Sequence, residues 1–121
     1  MSVYVGAIDS TNNSRQYQMA LYTDNGGRPG TRVAATATGT LAANAWNTLP
    51  IAATVQPNSS YWLMYNTSGR TSAVNDMRYN VGSVGQGAYS ANRVSFGTWP
   101  PTFPATVLSN AIYSLYATLG P

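Results

Sequence analysis

Residues Ser60–Asn66 read Ser-Tyr-Trp-Leu-Met-Tyr-Asn, with five large side chains in succession and no charge among them. On a strand, Tyr61, Leu63 and Tyr65 fall on one face and Trp62, Met64 and Asn66 on the other. Both faces are bulky, whereas a half-buried strand shows one polar face. The stretch is therefore expected to be a central strand, with a core on one side and a second layer or an aromatic platform on the other. A helix is disfavoured. The run is short and rich in aromatics, and it follows the turn signal Pro57-Asn58-Ser59-Ser60.

The rest of the chain has the same texture. Ser2–Ile8 alternates Val3, Val5 and Ala7 against Tyr4 and Ile8, and Gln16–Tyr22 alternates Tyr17, Met19 and Leu21 against Gln18, Ala20 and Tyr22; both predict strands. Between Thr23 and Gly30 lies the densest turn signal, Asp24-Asn25-Gly26-Gly27 followed by Arg28-Pro29-Gly30. Thr31–Thr40 predicts a thin strand of small residues, with an Ala-rich helix as the competing reading that Thr36, Thr38 and Gly39 argue against, and Trp46–Ile51 a short one that Pro50 places at an edge or ends early. Thr67–Asn75 reads as a loop and Asp76–Val81 as a strand. Gly82–Gly87 is loop-like, and a further strand is expected within Ala88–Phe96. Gly97–Thr106 is extended and punctuated by Pro100, Pro101 and Pro104. Ala111–Leu119 predicts a closing strand. Seven or eight short strands joined by Gly and Pro turns predict an all-β fold: a single antiparallel β-sandwich over residues 1–121, with a small closed barrel as the alternative.

Composition narrows the function. The 121 residues include no Cys, His, Lys or Glu, and six Arg and three Asp are the only charged side chains. The net charge of +3 comes from scattered arginines and is no phosphate-tracking surface, so no nucleic-acid partner is expected. No apolar run is long enough to span a bilayer, so no membrane partner is expected either. A surface wetted by hydroxyls and amides rather than ions suits an extracellular or cell-surface protein. After Met1 the chain goes straight into strand-like sequence with no leader pattern, as in a module joined to a larger protein or a small leaderless one.

Several separated motifs point further. Leu21-Tyr22-Thr23-Asp24-Asn25-Gly26-Gly27, Pro29-Gly30, Trp46-Asn47-Thr48-Leu49-Pro50 and Tyr61-Trp62-Leu63 occur in order. Phe96-Gly97-Thr98-Trp99-Pro100 and Tyr113-Ser114-Leu115-Tyr116-Ala117 follow them. Together they resemble a β-sandwich accessory module of large secreted and surface proteins of bacteria and archaea. The resemblance implies a jelly-roll-like sandwich similar to carbohydrate-binding modules, and it implies no particular ligand.

The residue inventory argues against catalysis. Without His or Cys there is no Ser-His or Cys-His dyad. An acid/base pair would have to come from Asp9, Asp24 and Asp76, and the first two sit where turns call for Asp. Zinc lacks its usual ligands. A structural calcium would draw on Asp9, Asn12 and Asn13 or on Asp24 and Asn25, and an Asx-turn without an ion is the favoured reading of both groups. No other cofactor is expected.

Aromatic residues make up 12% of the chain and carry the functional expectation. A sugar ring packs its C–H face on a flat aromatic surface and gives its hydroxyls to planar polar partners. The segment after the central strand offers both kinds, among them Asn75, Gln86 and Phe103. Asp76, Arg78, Tyr79, Tyr89 and Trp99 are the candidate ligand-binding residues. Trp46, Trp62 and most tyrosines are expected in the core. For Trp99 a sandwich-end cap and an exposed platform weigh evenly, and for Arg78 the competing reading is an ion pair with Asp76. The expected function is non-catalytic binding of a polysaccharide or surface glycan. The alternative is a structural module of a surface protein, or a viral decoration or fibre protein.

Overall fold

The computed structural model describes residues Met1–Gly120. Among these residues eleven strands occur in chain order: β1 Ser2–Val5, β2 Gln16–Asp24, β3 Pro29–Ala35, β4 Gly39–Thr40, β5 Ala45–Thr48, β6 Tyr61–Thr67, β7 Tyr79–Val81, β8 Gly87–Ser90, β9 Thr106–Ser109, β10 Ala111–Tyr113 and β11 Leu115–Tyr116. The only helical turn among the described residues is Asn12–Ser14. The fold is all-β, and its strands form four antiparallel sheets: β11-β1-β5, then β3 and β4 on one side of β2 with β6 on the other, then β10-β7, then β8-β9.

The organising strand is β2, not β6. Its register with β6 runs without a break from Tyr17↔Thr67 to Thr23↔Tyr61, and its other edge takes β3 and β4. Tyr17, Met19, Ala20, Leu21 and Tyr22 are all buried. By contrast β6 pairs with β2 alone and is an edge strand. The expectation of a central strand at Ser60–Asn66 is corrected in this respect, while the two bulky faces hold. Leu63 and Tyr65 pack into a core with Val3, Val5, Met19 and Leu41; Met64 and Trp62 pack with Ala20, Tyr22, Trp99 and Phe103 on the opposite face. Both faces of β6 are covered because a layer lies above and below it. Side-chain alternation reports layers and is blind to which backbone edge is paired.

The layer below is the proline-rich segment. Thr102 bridges to Thr31, Arg32 N–H donates to Pro101 O and Phe103 N–H donates to Gly30 O, so this arm extends the sheet beyond β3. Two arginines clasp it: Arg28 Nη1 donates to Thr106 O and Arg32 Nη1 to Trp99 O. Tyr22 Oη donates to Pro100 O across 2.7 Å.

Two expected strands are broken by local chemistry. Within Thr31–Thr40 the ladder stops at Ala35, because the Thr36 hydroxyl takes the Met19 N–H in place of a backbone carbonyl. The closing strand Ala111–Leu119 divides at Ser114 and ends at Tyr116. There β1 enters a fork between β11 and the start of β7: Tyr4 N–H donates to Ser114 O, Arg78 N–H to Tyr4 O, and Ser114 N–H to Arg78 O. The Asp24–Gly27 turn forms as expected, with Gly26 and Gly27 at φ +62° and +87° and Gly27 N–H donating to Asp24 Oδ2.

Candidate functional site

Two surfaces present aromatic side chains, on opposite sides of the first sheet. One is the outer face of β11-β1-β5. Val3 and Val5 point into the core, so Ser2 and Tyr4 point out, and the register brings Thr48 opposite Ser2 and Trp46 opposite Tyr4. Tyr116 stands opposite Ser2 on the other edge. The Trp46 ring lies between two others, 5.5 Å from Tyr4 and 5.0 Å from Tyr116 between ring centres, edge-to-face in each case. It is nonetheless 50% exposed, and Tyr116 47%. Trp46 is therefore not core, which corrects the sequence expectation. Its neighbours on that face are polar, with Ser2 Oγ and Thr48 Oγ1 2.7 Å apart. The pattern Trp46-Asn47-Thr48 beside Ser2-Val3-Tyr4 was the available signal, since it alternates toward a face shared with hydroxyls. Composition alone had assigned the tryptophan to the core.

Arg78 joins this face. It sits opposite Tyr4 on the β7 side, and its guanidinium lies against Gly6: a Cβ at residue 6 would stand 2.9 Å from Nε and from Nη2. The missing Cβ leaves room for the planar group to settle onto the backbone. The expected ion pair with Asp76 does not form; Arg70–Asp9 is the salt bridge present among the described residues. The face thus carries three rings in a row, a flat guanidinium at one end and a hydroxyl pair.

The second surface is a cleft of about 820 Å³ between β6 and the β8 and β10 side. Asp76, Tyr89 and Trp99 line it, so three of the five sequence candidates come together there. Arg78 does not line it. Neither does Tyr79, which is exposed and packs its ring edge-to-face on Tyr113 at 6.2 Å. Trp99 is mostly a cap, tilted against Tyr22 and packed in the second core with Phe103, although its buried Nε1–H has no hydrogen-bond partner. Tyr89 is 52% exposed. Partial burial pushes the Asp76 carboxyl up from its ordinary value.

Asn75 is no ligand contact. It is fully buried at φ +62° and ties four segments together. Its Oδ1 accepts from Asp9 N–H, its Nδ2 donates to Ser14 O and Thr67 Oγ1, and its carbonyl accepts from Tyr65 Oη. The carboxylates weighed for calcium face N–H donors instead. Asp9 accepts a bidentate pair from Arg70 Nε and Nη2 at 3.0 and 2.7 Å and a third bond from Thr11 N–H. The Arg70 guanidinium, then the Thr11 N–H, lower the Asp9 carboxyl to about 2. Asp24 accepts from Trp62 Nε1 and Gly27 N–H. The described residues contain no cluster of three acidic or other metal-ligating side chains, and no helix long and apolar enough to cross a membrane.

These features define a small all-β domain, several antiparallel sheets packed together with aromatic residues on its surface. No family model matches the chain, and neither a curated protein nor a solved structure matches it. The resemblance to secreted β-sandwich modules rests on the sequence motifs that carry it.

Proposed function

We propose that this protein is a non-catalytic carbohydrate-binding module of jelly-roll-like type, working outside the cell or at its surface, and that sugar rings stack on the Tyr4–Trp46–Tyr116 face. The observation that carries this reading is the half-exposed Trp46, whose ring lies between those of Tyr4 and Tyr116 on the outer face of the β11-β1-β5 sheet. An indole held on both sides by aromatic edges is a rigid platform that loses little entropy on binding. A pyranose ring covers it with its C–H face, and the Arg78 guanidinium offers two parallel N–H donors to adjacent hydroxyls. The cleft plays no part in this binding.

The test is a screen of plant, microbial and algal glycans, followed by calorimetry on the best soluble fragment. Trp46→Ala is expected to weaken binding at least tenfold and Arg78→Ala several-fold, with unchanged circular dichroism. Absence of binding at millimolar concentration across all classes counts against the proposal, as does binding indifferent to Trp46→Ala.

A further inference from the structure

The cleft calls for a different ligand. Asp24 N–H donates to Ser60 O and Ser68 N–H to Gln16 O, which fixes the phase of the β2–β6 ladder. In that phase Trp62, Met64 and Asn66 turn their backbone groups toward β2, while Tyr61, Leu63 and Tyr65 turn theirs away from it. The same parity appears across β2, where Met19 N–H and O bond to Thr36 on the opposite side. The N–H and C=O groups of Tyr61, Leu63 and Tyr65 find no partner among the described residues, and these three residues line the cleft. Unpaired edges are normally blunted by charge, proline or a bulge. Here the edge is straight, uncharged and seven residues long.

We propose that the cleft accepts an extended peptide segment of another polypeptide, which pairs with β6 as an added strand. Donors and acceptors that recur every second residue along a line are the complement of one ligand class, another strand backbone. The walls fit the side chains of such a guest. Met77 and Leu115 belong to the core above β6, and Phe96, Trp99 and Phe103 flank the cleft on the arm side, so side chains on both faces of the guest meet apolar surface. Charge complements one end. Asn66 Nδ2 donates to Val94 O, which places Arg93 at the Asn66 end of β6, and Arg93 is in no ion pair among the described residues. An acidic side chain or a terminal carboxylate of the guest belongs there. This site lies apart from the Trp46 face and does not depend on glycan binding.

The probe is the capped peptide Asp-Val-Ala-Val-Ala-Val-Asp, and the readout is amide hydrogen exchange resolved by NMR. Millimolar peptide is expected to slow exchange at Leu63 and Tyr65 at least tenfold, and to leave Trp62 and Met64, already bonded to β2, unchanged. The same peptide N-methylated at its five central residues removes the donors and is expected to have no effect. Ala88→Trp, which plugs the cleft, is expected to abolish protection while β2 amides keep their rates. Trp46→Ala, which removes the proposed glycan platform, is expected to leave it intact. Unchanged Leu63 and Tyr65 exchange would overturn the proposal. So would equal protection by the methylated peptide, or protection by a soluble oligosaccharide in place of the peptide.

Discussion

Asn75→Ala is expected to be among the most damaging single substitutions outside the apolar core. The side chain is fully buried and makes three hydrogen bonds. Its removal strands the Asp9 N–H and the Ser14 carbonyl, and an unsatisfied buried group costs about 1–3 kcal/mol. Residue 75 also holds φ at +62°, a conformation that costs a residue with a Cβ about 1–2 kcal/mol and that Asn adopts more readily than Ala. The sum is about 4 kcal/mol, or a fall in Tm of about 15 °C for a chain of this length. Asn75→Gly loses the same bonds but sits in the left-handed region without strain, so it is expected to be about 1 kcal/mol milder. Urea titrations followed by circular dichroism measure both, with an unchanged slope showing that the unfolded states are comparable. A cost below about 1 kcal/mol for Asn75→Ala would refute the hub, and equal costs for Ala and Gly would refute the backbone argument.

Other consequences follow from the same geometry. The Asp9 carboxyl is lowered to about 2 in the folded protein against 3.8 ordinarily, so its contribution is present above pH ~3.8 and is lost as pH falls through about 2; in melts, Arg70→Ala is expected to be less stable than the wild type above pH ~4 and to show a shallower fall below it. Burial raises the Tyr65, Tyr17 and Tyr22 hydroxyls, so stability is present below pH ~10 and falls as pH rises beyond it; a melt at pH 11 well below that at pH 9 is the expected result. Asp76, raised by burial, acts in the opposite sense to Asp9, and costs stability as pH rises through its carboxyl titration. A Cβ at residue 87 would clash with the Ala111 carbonyl oxygen, so Gly87→Ala is expected to cost about 1–3 kcal/mol in a urea titration and to loosen β8 against β10.

Much of the fold was legible because alternation and turn chemistry are local. The faces of Tyr61–Asn66, the Asp24–Gly27 turn and the extended character of Gly97–Thr106 all follow from residues close in the chain. What escaped were long-range choices of partner. Nothing in Ser60–Asn66 says that one edge is open, since side chains record the layers above and below and not the neighbouring strand. The fork at Tyr4, Arg78 and Ser114 depends on three segments far apart in sequence. Arg70, within the Thr67–Asn75 stretch that reads as a loop, holds a buried carboxylate sixty-one positions away. Among the site candidates, Asp76, Tyr89 and Trp99 do share a cleft, whereas Arg78 faces the other way because it alternates with Met77, which sits opposite Val5 and packs into the core. Trp46 was assigned to the core by its size, although the threonine two residues on already marked its face as solvent-accessible.

The account turns on which aromatic surface meets the sugar. The direct measurement is an NMR titration with the best-binding soluble oligosaccharide, following the three indole N–H resonances together with the tyrosine ring signals. The platform reading predicts that the Trp46 indole, Tyr4 and Tyr116 shift together and saturate with one affinity, while Trp99 and Tyr89 stay in place. Shifts confined to Trp99 and Tyr89, with Trp46 unmoved, would place the sugar in the cleft and contradict it.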